Sequence, residues 1–329
     1  HKFLSTFIPM RNIDDPIEVV CNVDDRYARQ CAVMFTSLLE NNPDDMIIIH
    51  VVTTYLMPAN RVLLSDIVQR KYGCRLVMHK VDDELLKSCP VRRGDYVSVT
   101  AYLRCFLPAI LPLSIHKVLY LDSDLLVLGN IRPLWDVDLT DKALAAVEDS
   151  SSGNQETLVR LRLPDNYTYF NSGVMVMNLD YWRENKILKR LMLYLDGFHE
   201  RIRENDQDLL NVCLWKNRVL LPLRWNMQSG FLKNRPGCRR YALARAREEI
   251  RRTVIAHFVG RKKPWHNNCA NPFASEYNRY LDMTEFADHR PAKAKINPLF
   301  GMVHHVMARL GIGGYYRHRS IEAYGFTAR

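Results

Sequence analysis

Apolar positions in the first 150 residues switch repeatedly between a strand-like and a helix-like period. Glu18 to Val23 is a short β-branched run that predicts a strand. Tyr27 to Glu40 sets Ala28, Cys31, Phe35, Leu38 and Leu39 at helical spacing and stops at Asn41-Asn42-Pro43. Met46 to Val52 predicts a buried strand, and Pro58 opens a helix to about Tyr72 with Gly73 as its stop. Arg75 to His79 reads as a third strand, Val97 to Phe106 as a helix, and Lys117 to Leu121 and Leu144 to Val147 as further strands. Such alternation predicts an α/β fold with a mostly parallel central sheet covered on both faces.

The remaining pattern is a strand at Gly173 to Met177, a long amphipathic helix from Tyr181 to Phe198, and a helix from Asp206 to Trp215 capped near Asn205. After Leu232 come a helix-like segment, Arg239 to Arg252, and a short strand, Val254 to Phe258. Leu299 to Leu310 returns to helical spacing with His and Arg between its apolar residues. Linker signals are weak, so residues 1–270 read as one domain and residues 271–329 as a basic extension.

Composition adds one distinction. The 329 residues are 47% hydrophobic, which excludes a disordered or collagenous chain. No run approaches 18 apolar residues, so no membrane-spanning helix is expected. The net charge is +10, but residues 1–231 hold 27 Lys+Arg against 29 Asp+Glu, and residues 232–329 hold 19 against 7. A near-neutral body therefore carries a basic C-terminal third, suited to an anionic partner. None of the eight cysteines forms C-x-x-C, and their spacing matches no zinc or disulfide framework, so reduced thiols in a cytosolic setting are expected.

Four segments could carry chemistry. In Val118-Leu119-Tyr120-Leu121-Asp122-Ser123-Asp124 a buried strand runs into two carboxylates at i, i+2. Strand ends of this kind are where parallel sheets bind ligands, and paired oxygens suit Mg²⁺ or Mn²⁺ bridging phosphates. Two solvated turn aspartates would give the same tripeptide, and so would a haloacid-dehalogenase-type phosphatase with Asp122 as nucleophile and Asp124 beside it. That motif, however, normally opens its domain. Asn22-Val23-Asp24-Asp25-Arg26-Tyr27 lies at the first strand-to-helix turn, where polar groups can grip a nucleoside or simply cap the helix. There is no G-x-G-x-x-G and no Walker-type loop. His257-Phe258-Val259-Gly260-Arg261-Lys262-Lys263 offers an imidazole for a metal shell and lysines for a diphosphate, or a solvated basic loop. Asn171-Ser172-Gly173 and Asp206-Gln207-Asp208 supply amides and carboxylates able to read sugar hydroxyls, or ordinary caps.

Taken in order, V-V-C-N-V-D-D-R-Y, S-V-T-A-Y-L-R, K-V-L-Y-L-D-S-D-L-L-V, Y-F-N-S-G-V-M-V-M-N-L, D-Q-D-L-L-N and H-F-V-G-R-K-K-P-W-H resemble retaining glycosyltransferase family 8 over about residues 17–267. The resemblance implies a GT-A-type nucleotide-sugar-binding fold and transfer of galactose or glucose from a UDP-hexose to a saccharide or lipopolysaccharide-type acceptor. It implies Mn²⁺ or Mg²⁺ on Asp122, Asp124 and His257. Asn22, Asp24 and Tyr27 would meet the uridine, with Ser123 also on the nucleotide. Arg104 would meet donor phosphate and sugar, and Gly260 and Lys263 the diphosphate. Asp149, Asn171, Ser172, Asp206 and Gln207 would surround the donor hexose and acceptor. Arg26 stands where some members have Asn, and Ser172 where Ala is frequent. Gln207, the family-matched residue on the β face, is a poor nucleophile, so same-face attack through an oxocarbenium-like state is expected. In lipopolysaccharide-type members a basic, aromatic tail docks on the membrane. Met302 to Leu310 and Tyr315-Tyr316-Arg317-His318-Arg319 have that character, so the resemblance implies a cytoplasmic protein able to dock peripherally on the inner membrane face. No helix-turn-helix, zinc-finger or RRM signature points to nucleic acid.

Overall fold

The computed structural model describes residues 12–87, 89, 99–233, 248–267 and 269–291, and beyond these 302–303, 306–307, 310, 315–318 and 320–327. The chain opens with strand β1 (Asn12–Asn22), a 3-10 turn (Asp25–Tyr27) and helix α1 (Ala28–Glu40). Strand β2 (Asp45–Thr53) follows, then α2 (Pro58–Ser65), which continues as a π-helical stretch (Asp66–Lys71) before β3 (Arg75–Lys80). Gly73, at φ +62, closes that helix as expected, since a left-handed residue favours glycine. A 3-10 turn (Val99–Tyr102) leads into α3 (Leu103–Ile110), so the helix expected from Val97 runs later than its pattern, past Pro108; Val97 itself lies outside the described residues.

Next come β4 (Lys117–Leu121), β5 (Leu125–Val127), α4 (Arg132–Trp135), β6 (Leu144–Glu148), α5 (Gln155–Leu161) and β7 (Phe170–Asn178). The long helix expected from Tyr181 is two, α6 (Leu179–Glu184) and α7 (Ile187–Phe198). Lys186 between them sits at φ +52, which ends one helix and lets the next bury Ile187, Leu191 and Leu195. Helix α8 (Asn205–Leu214), strands β8 (Arg218–Leu221), β9 (Met227–Gln228) and β10 (Ile255–His257) complete the site-bearing part. Asn205 is not the cap that its residue type predicts; it is the first residue of α8, at φ +48. Of the helix expected at Arg239 to Arg252, residues 239–247 lie outside the described residues, as does much of Leu299 to Leu310.

The main sheet runs β3-β2-β1-β4-β7-β6-β8. All its pairings are parallel except the two made by β7, which is antiparallel to β4 and β6. Successive side chains alternate between two cores: Val19, Cys21, Leu119 and Leu121 face α1, whereas Val20, Val118 and Tyr120 face α3, α6 and α7. Burial on both faces explains why these strands read as near-continuous apolar runs. Because β7 is reversed, its first residues reach the edge where β1, β4 and β6 end: Glu148 pairs with Phe170, and Leu121 with Val174.

A second sheet, β5-β10-β9, crosses that edge. In it His257 pairs with Leu125 and with Gln228, which sets the imidazole one residue from the Asp124 backbone. In the C-terminal extension, helix Ala274–Leu281 buries Tyr277 and Tyr280, and Ile321, Tyr324 and Phe326 join the same core. The Tyr324 hydroxyl donates to the Leu232 carbonyl at 2.5 Å. All seven described cysteines are free thiols.

Candidate active site

All fifteen residues that the family resemblance assigns to the site line one cleft of about 500 Å³. Asn22 comes from the end of β1, Asp24 and Tyr27 from the 3-10 turn that follows it, Asp122, Ser123 and Asp124 from the β4–β5 turn, and Asp149 from just after β6. Asn171 and Ser172 come from the start of β7, Asp206 and Gln207 from the start of α8, His257 from β10, and Gly260 and Lys263 from the loop after it.

Asp122, Asp124 and His257 each offer one ligand atom, all within 4.8 Å of one another. His257 Nε2 lies 3.1 Å from Asp124 Oδ1 and 3.7 Å from Asp122 Oδ2. Each carboxylate keeps one oxygen in this group and has the other held from behind. Asp122 Oδ1 accepts from Arg104 Nη2 (2.9 Å) and the Tyr120 hydroxyl (2.8 Å), while Asp124 Oδ2 accepts from Lys263 Nζ. Burial alone would raise the Asp124 carboxyl, but the Lys263 ammonium outweighs it and holds it well below the usual carboxylate range. Two carboxylate oxygens and an imidazole nitrogen converging on one point fit a divalent cation such as Mn²⁺ or Mg²⁺.

Gly173 is the residue that sequence reasoning passed over here. A Cβ on it would lie 2.3 Å from His257 Cε1 and 2.6 Å from Asp122 Oδ2, so the triad closes only over a bare backbone. Its signal was present in Asn171-Ser172-Gly173, where the glycine read as a strand start. Asn226, wholly buried behind His257, had no motif to mark it.

Arg104 joins the triad to the other half of the cleft. Its guanidinium is buried over the Tyr120 ring, 4.5 Å from the centroid, and reaches Asp122, the Ser172 carbonyl (2.7 Å) and Asp206 (3.1 Å). Burial lifts the Asp206 carboxyl to about 6, against the pull of Arg104. Beyond it lies an amide cluster. Asn171 Nδ2 donates to Asp149 Oδ2 and Gln207 Oε1 (both 3.0 Å), Ser172 N donates to the same Gln207 oxygen (3.0 Å), and Gln207 Nε2 donates to Asp149 Oδ2 (3.2 Å).

At the opposite end, Asp24 performs the capping expected of it, accepting from Arg26 N and Tyr27 N, and pairs with the exposed Arg26 guanidinium. Asp25 anchors the start of α2 through Met57 N and Asn60. Asn22 donates to the Thr100 carbonyl, and its own buried Oδ1 has no hydrogen-bond partner among the described residues, an acceptor suited to a base N–H. Gly260 sits at φ +98, so a side chain there would be strained.

Asp208, the third member of D-Q-D, does not face the cleft. It is fully buried and accepts from Arg203 N (2.7 Å), Glu204 N (2.8 Å), the Tyr169 hydroxyl (2.7 Å) and Arg160 (2.7 Å). It shapes the turn that delivers Asp206 and Gln207. Asp208→Ala strands the Arg160 cation and two backbone donors, so a loss of about 3–5 kcal/mol is expected in a denaturation measurement; a variant within 1 kcal/mol of wild type contradicts that role.

A reversed strand inside a parallel sheet, a carboxylate pair at a strand end and a crossing sheet that returns a histidine define a GT-A-type glycosyltransferase. The chain belongs to Glycosyl transferase family 8, whose profile matches residues 18–269. It is 30% identical to General stress protein A of Bacillus subtilis, over 83% of this chain and 96% of that protein. It is 27% identical to a Lipopolysaccharide 1,2-glucosyltransferase of Escherichia coli, over 81% of this chain and 78% of that one. Among solved structures it superposes on the galactosyltransferase LgtC in complex with donor and acceptor sugar analogs, with a TM-score of 0.73 and 28% identity, covering 82% of this chain and 96% of that one. The protein is therefore a glycosyltransferase, and the phosphatase alternative is not favoured.

Proposed function

We propose that this chain transfers galactose or glucose from a UDP-hexose to a saccharide or lipopolysaccharide-type acceptor, with retention and with Mn²⁺ or Mg²⁺. The observation that carries the reading is the contact order within one cleft. An orphaned base acceptor, Asn22, leads to the Asp122–Asp124–His257 triad, then to Arg104, then to the amide cluster of Asn171 and Gln207. That order follows the layout of a nucleoside diphosphate sugar. A cation held by the triad would neutralise charge on the diphosphate.

The chain's own residues account for the remainder. As the bond from the anomeric carbon to the diphosphate oxygen breaks, Lys263 and Arg104 stabilise the leaving charge, Lys263 turning to it from Asp124. Gln207 Oε1 already accepts two N–H donors, which lowers its nucleophilicity further. The acceptor oxygen therefore bonds to the anomeric carbon on the face the diphosphate leaves, and its proton passes to the departing phosphate oxygen. Asp206 and Asp149 orient hydroxyls of donor and acceptor. The test is Mn²⁺-dependent consumption of a UDP-sugar panel, with its decisive variant argued in the Discussion.

We further propose that residues 1–270 carry catalysis and that the basic extension docks on the anionic inner face of the cytoplasmic membrane, where a glycolipid acceptor is presented. Support comes from Met302, Val303, Val306 and Leu310, which are 67, 50, 45 and 66% exposed, amid the cationic excess. Co-sedimentation with liposomes is expected only when anionic lipid is present and to fade with salt; equal binding to neutral liposomes sinks the docking proposal.

A further inference from the structure

We infer that Asn226 is a positioning residue: its single side-chain amide sets the ligand nitrogen of His257 and, from behind, braces the Asn171 amide in the sugar half of the cleft. This rests on the reading of Asp122, Asp124 and His257 as a metal centre. Asn226 is wholly buried between the 3-10 turn Leu223–Trp225 and β9. Its Nδ2 donates to Asn171 Oδ1 at 2.8 Å, and its Oδ1 lies 3.0 Å from His257 Nδ1.

The polarity of this chain of bonds is fixed at its far end by groups that act in one sense only. The Gly173 backbone N–H, which can only donate, points at one terminal atom of Asn171 (3.0 Å); the Asp149 carboxylate, an acceptor, faces the other (3.0 Å). The Asn171 oxygen therefore faces Gly173 and Asn226. Asn226 must then turn its NH₂ to Asn171 and its oxygen to His257. An oxygen there accepts, so His257 carries its proton on Nδ1 and presents the Nε2 lone pair to Asp122 and Asp124. Nε2 then stands 3.1 Å from Asp124 Oδ1 as acceptor against acceptor, which a cation between them relieves. The same amide thus ties metal geometry to donor-sugar recognition across the Gly173 backbone.

The two arms separate by substitution. Asn226→Ala removes both; Asn226→Asp restores an acceptor for His257 Nδ1–H but sets a carboxylate oxygen against Asn171 Oδ1. Mn²⁺ affinity is read by electron paramagnetic resonance, with Asp124→Asn as the blank. Sugar recognition is read as the affinity ratio of an unreactive 2-deoxy-2-fluoro UDP-hexose to UDP. For Asn226→Ala, Mn²⁺ affinity is expected to fall about 10–100-fold and the sugar preference to drop. For Asn226→Asp, Mn²⁺ affinity is expected within about threefold of wild type with the sugar preference still lost. If Asn226→Ala does not fold, the split between the two readouts of the near-isosteric Asn226→Asp decides. Unchanged Mn²⁺ affinity in Asn226→Ala, or a folded Asn226→Asp that loses Mn²⁺ as fully as Ala, overturns the inference. Wild-type protein that takes up no Mn²⁺ overturns the metal reading itself.

Discussion

Asp124→Asn is expected to remove Mn²⁺-dependent consumption of UDP-galactose or UDP-glucose, lowering kcat/KM by about 10³-fold or more. Asp124 has a neighbour on each side: Oδ1 stands 3.1 Å from His257 Nε2, and Oδ2 accepts from Lys263 Nζ. Asparagine keeps the volume and one acceptor but loses the charge that makes the triad a cation site. It also removes the Asp124 charge from beside the Lys263 ammonium, only 6% exposed along its side chain. Breaking a buried pair from one side costs about 3–5 kcal/mol, so a lower melting temperature is expected alongside the lost turnover. The two effects are told apart by circular dichroism at the assay temperature: a folded, inactive variant locates the loss in chemistry. A wild-type chain that consumes no UDP-hexose with Mn²⁺, with or without candidate acceptors, removes the proposed activity. A chain that instead cleaves simple phosphate esters returns the phosphatase alternative.

The sequence was most legible where burial imposes a pattern. β4 falls on its expected residues, and β2, β6 and β7 contain their expected runs with a few residues added, because strands buried on both faces carry few polar interruptions; the half-exposed edge strand β3 gains one residue, and β1 starts early, at the exposed Asn12, and ends at Asn22. Most candidate residues reached one cleft because they sit at strand or helix ends on the same edge of the sheet, whereas Asp208 turns inward from it. The reversal of β7 was not legible, since an apolar nine-residue run carries no mark of its direction. The small sheet was not legible as a unit: β10 falls within the strand expected at Val254 to Phe258, but β5 and β9, of three and two residues, are too short for any period. The break at Lys186 hid within an unbroken helical spacing, because the two helices share one buried stripe. Asn226 escaped for a different reason. Its role is a hydrogen-bond direction across three elements, and no local pattern encodes that.

Gly173→Ala tests the geometry of the site where Asp124→Asn tests its charge. The backbone of Gly173 is not in the left-handed region, so alanine fits the strand itself. What it meets is the triad: the new methyl carbon would lie 2.3 Å from His257 Cε1, 2.6 Å from Asp122 Oδ2 and 3.0 Å from His257 Nδ1. Neither neighbour yields readily. The imidazole is pinned by Asn226 and by the pairing of β10, and the Asp122 carboxylate by Arg104 and the Tyr120 hydroxyl. The methyl must therefore spread His257 and Asp122, all three ligands remaining chemically intact. A stability cost of about 1–3 kcal/mol is expected from overpacking. The larger effect falls on function: Mn²⁺ affinity and kcat/KM are each expected to drop by about 10²-fold, since a displacement of about 1 Å is costly at a reacting centre. The nucleoside end, with Asn22 at the end of β1 and Tyr27 in the 3-10 turn after it, is built from other elements, so affinity for UDP without metal should hold near wild type. An alanine variant that binds Mn²⁺ and turns over donor like wild type would show that the triad has slack to absorb a methyl group, and that its closure over bare backbone is not what organises the ligands.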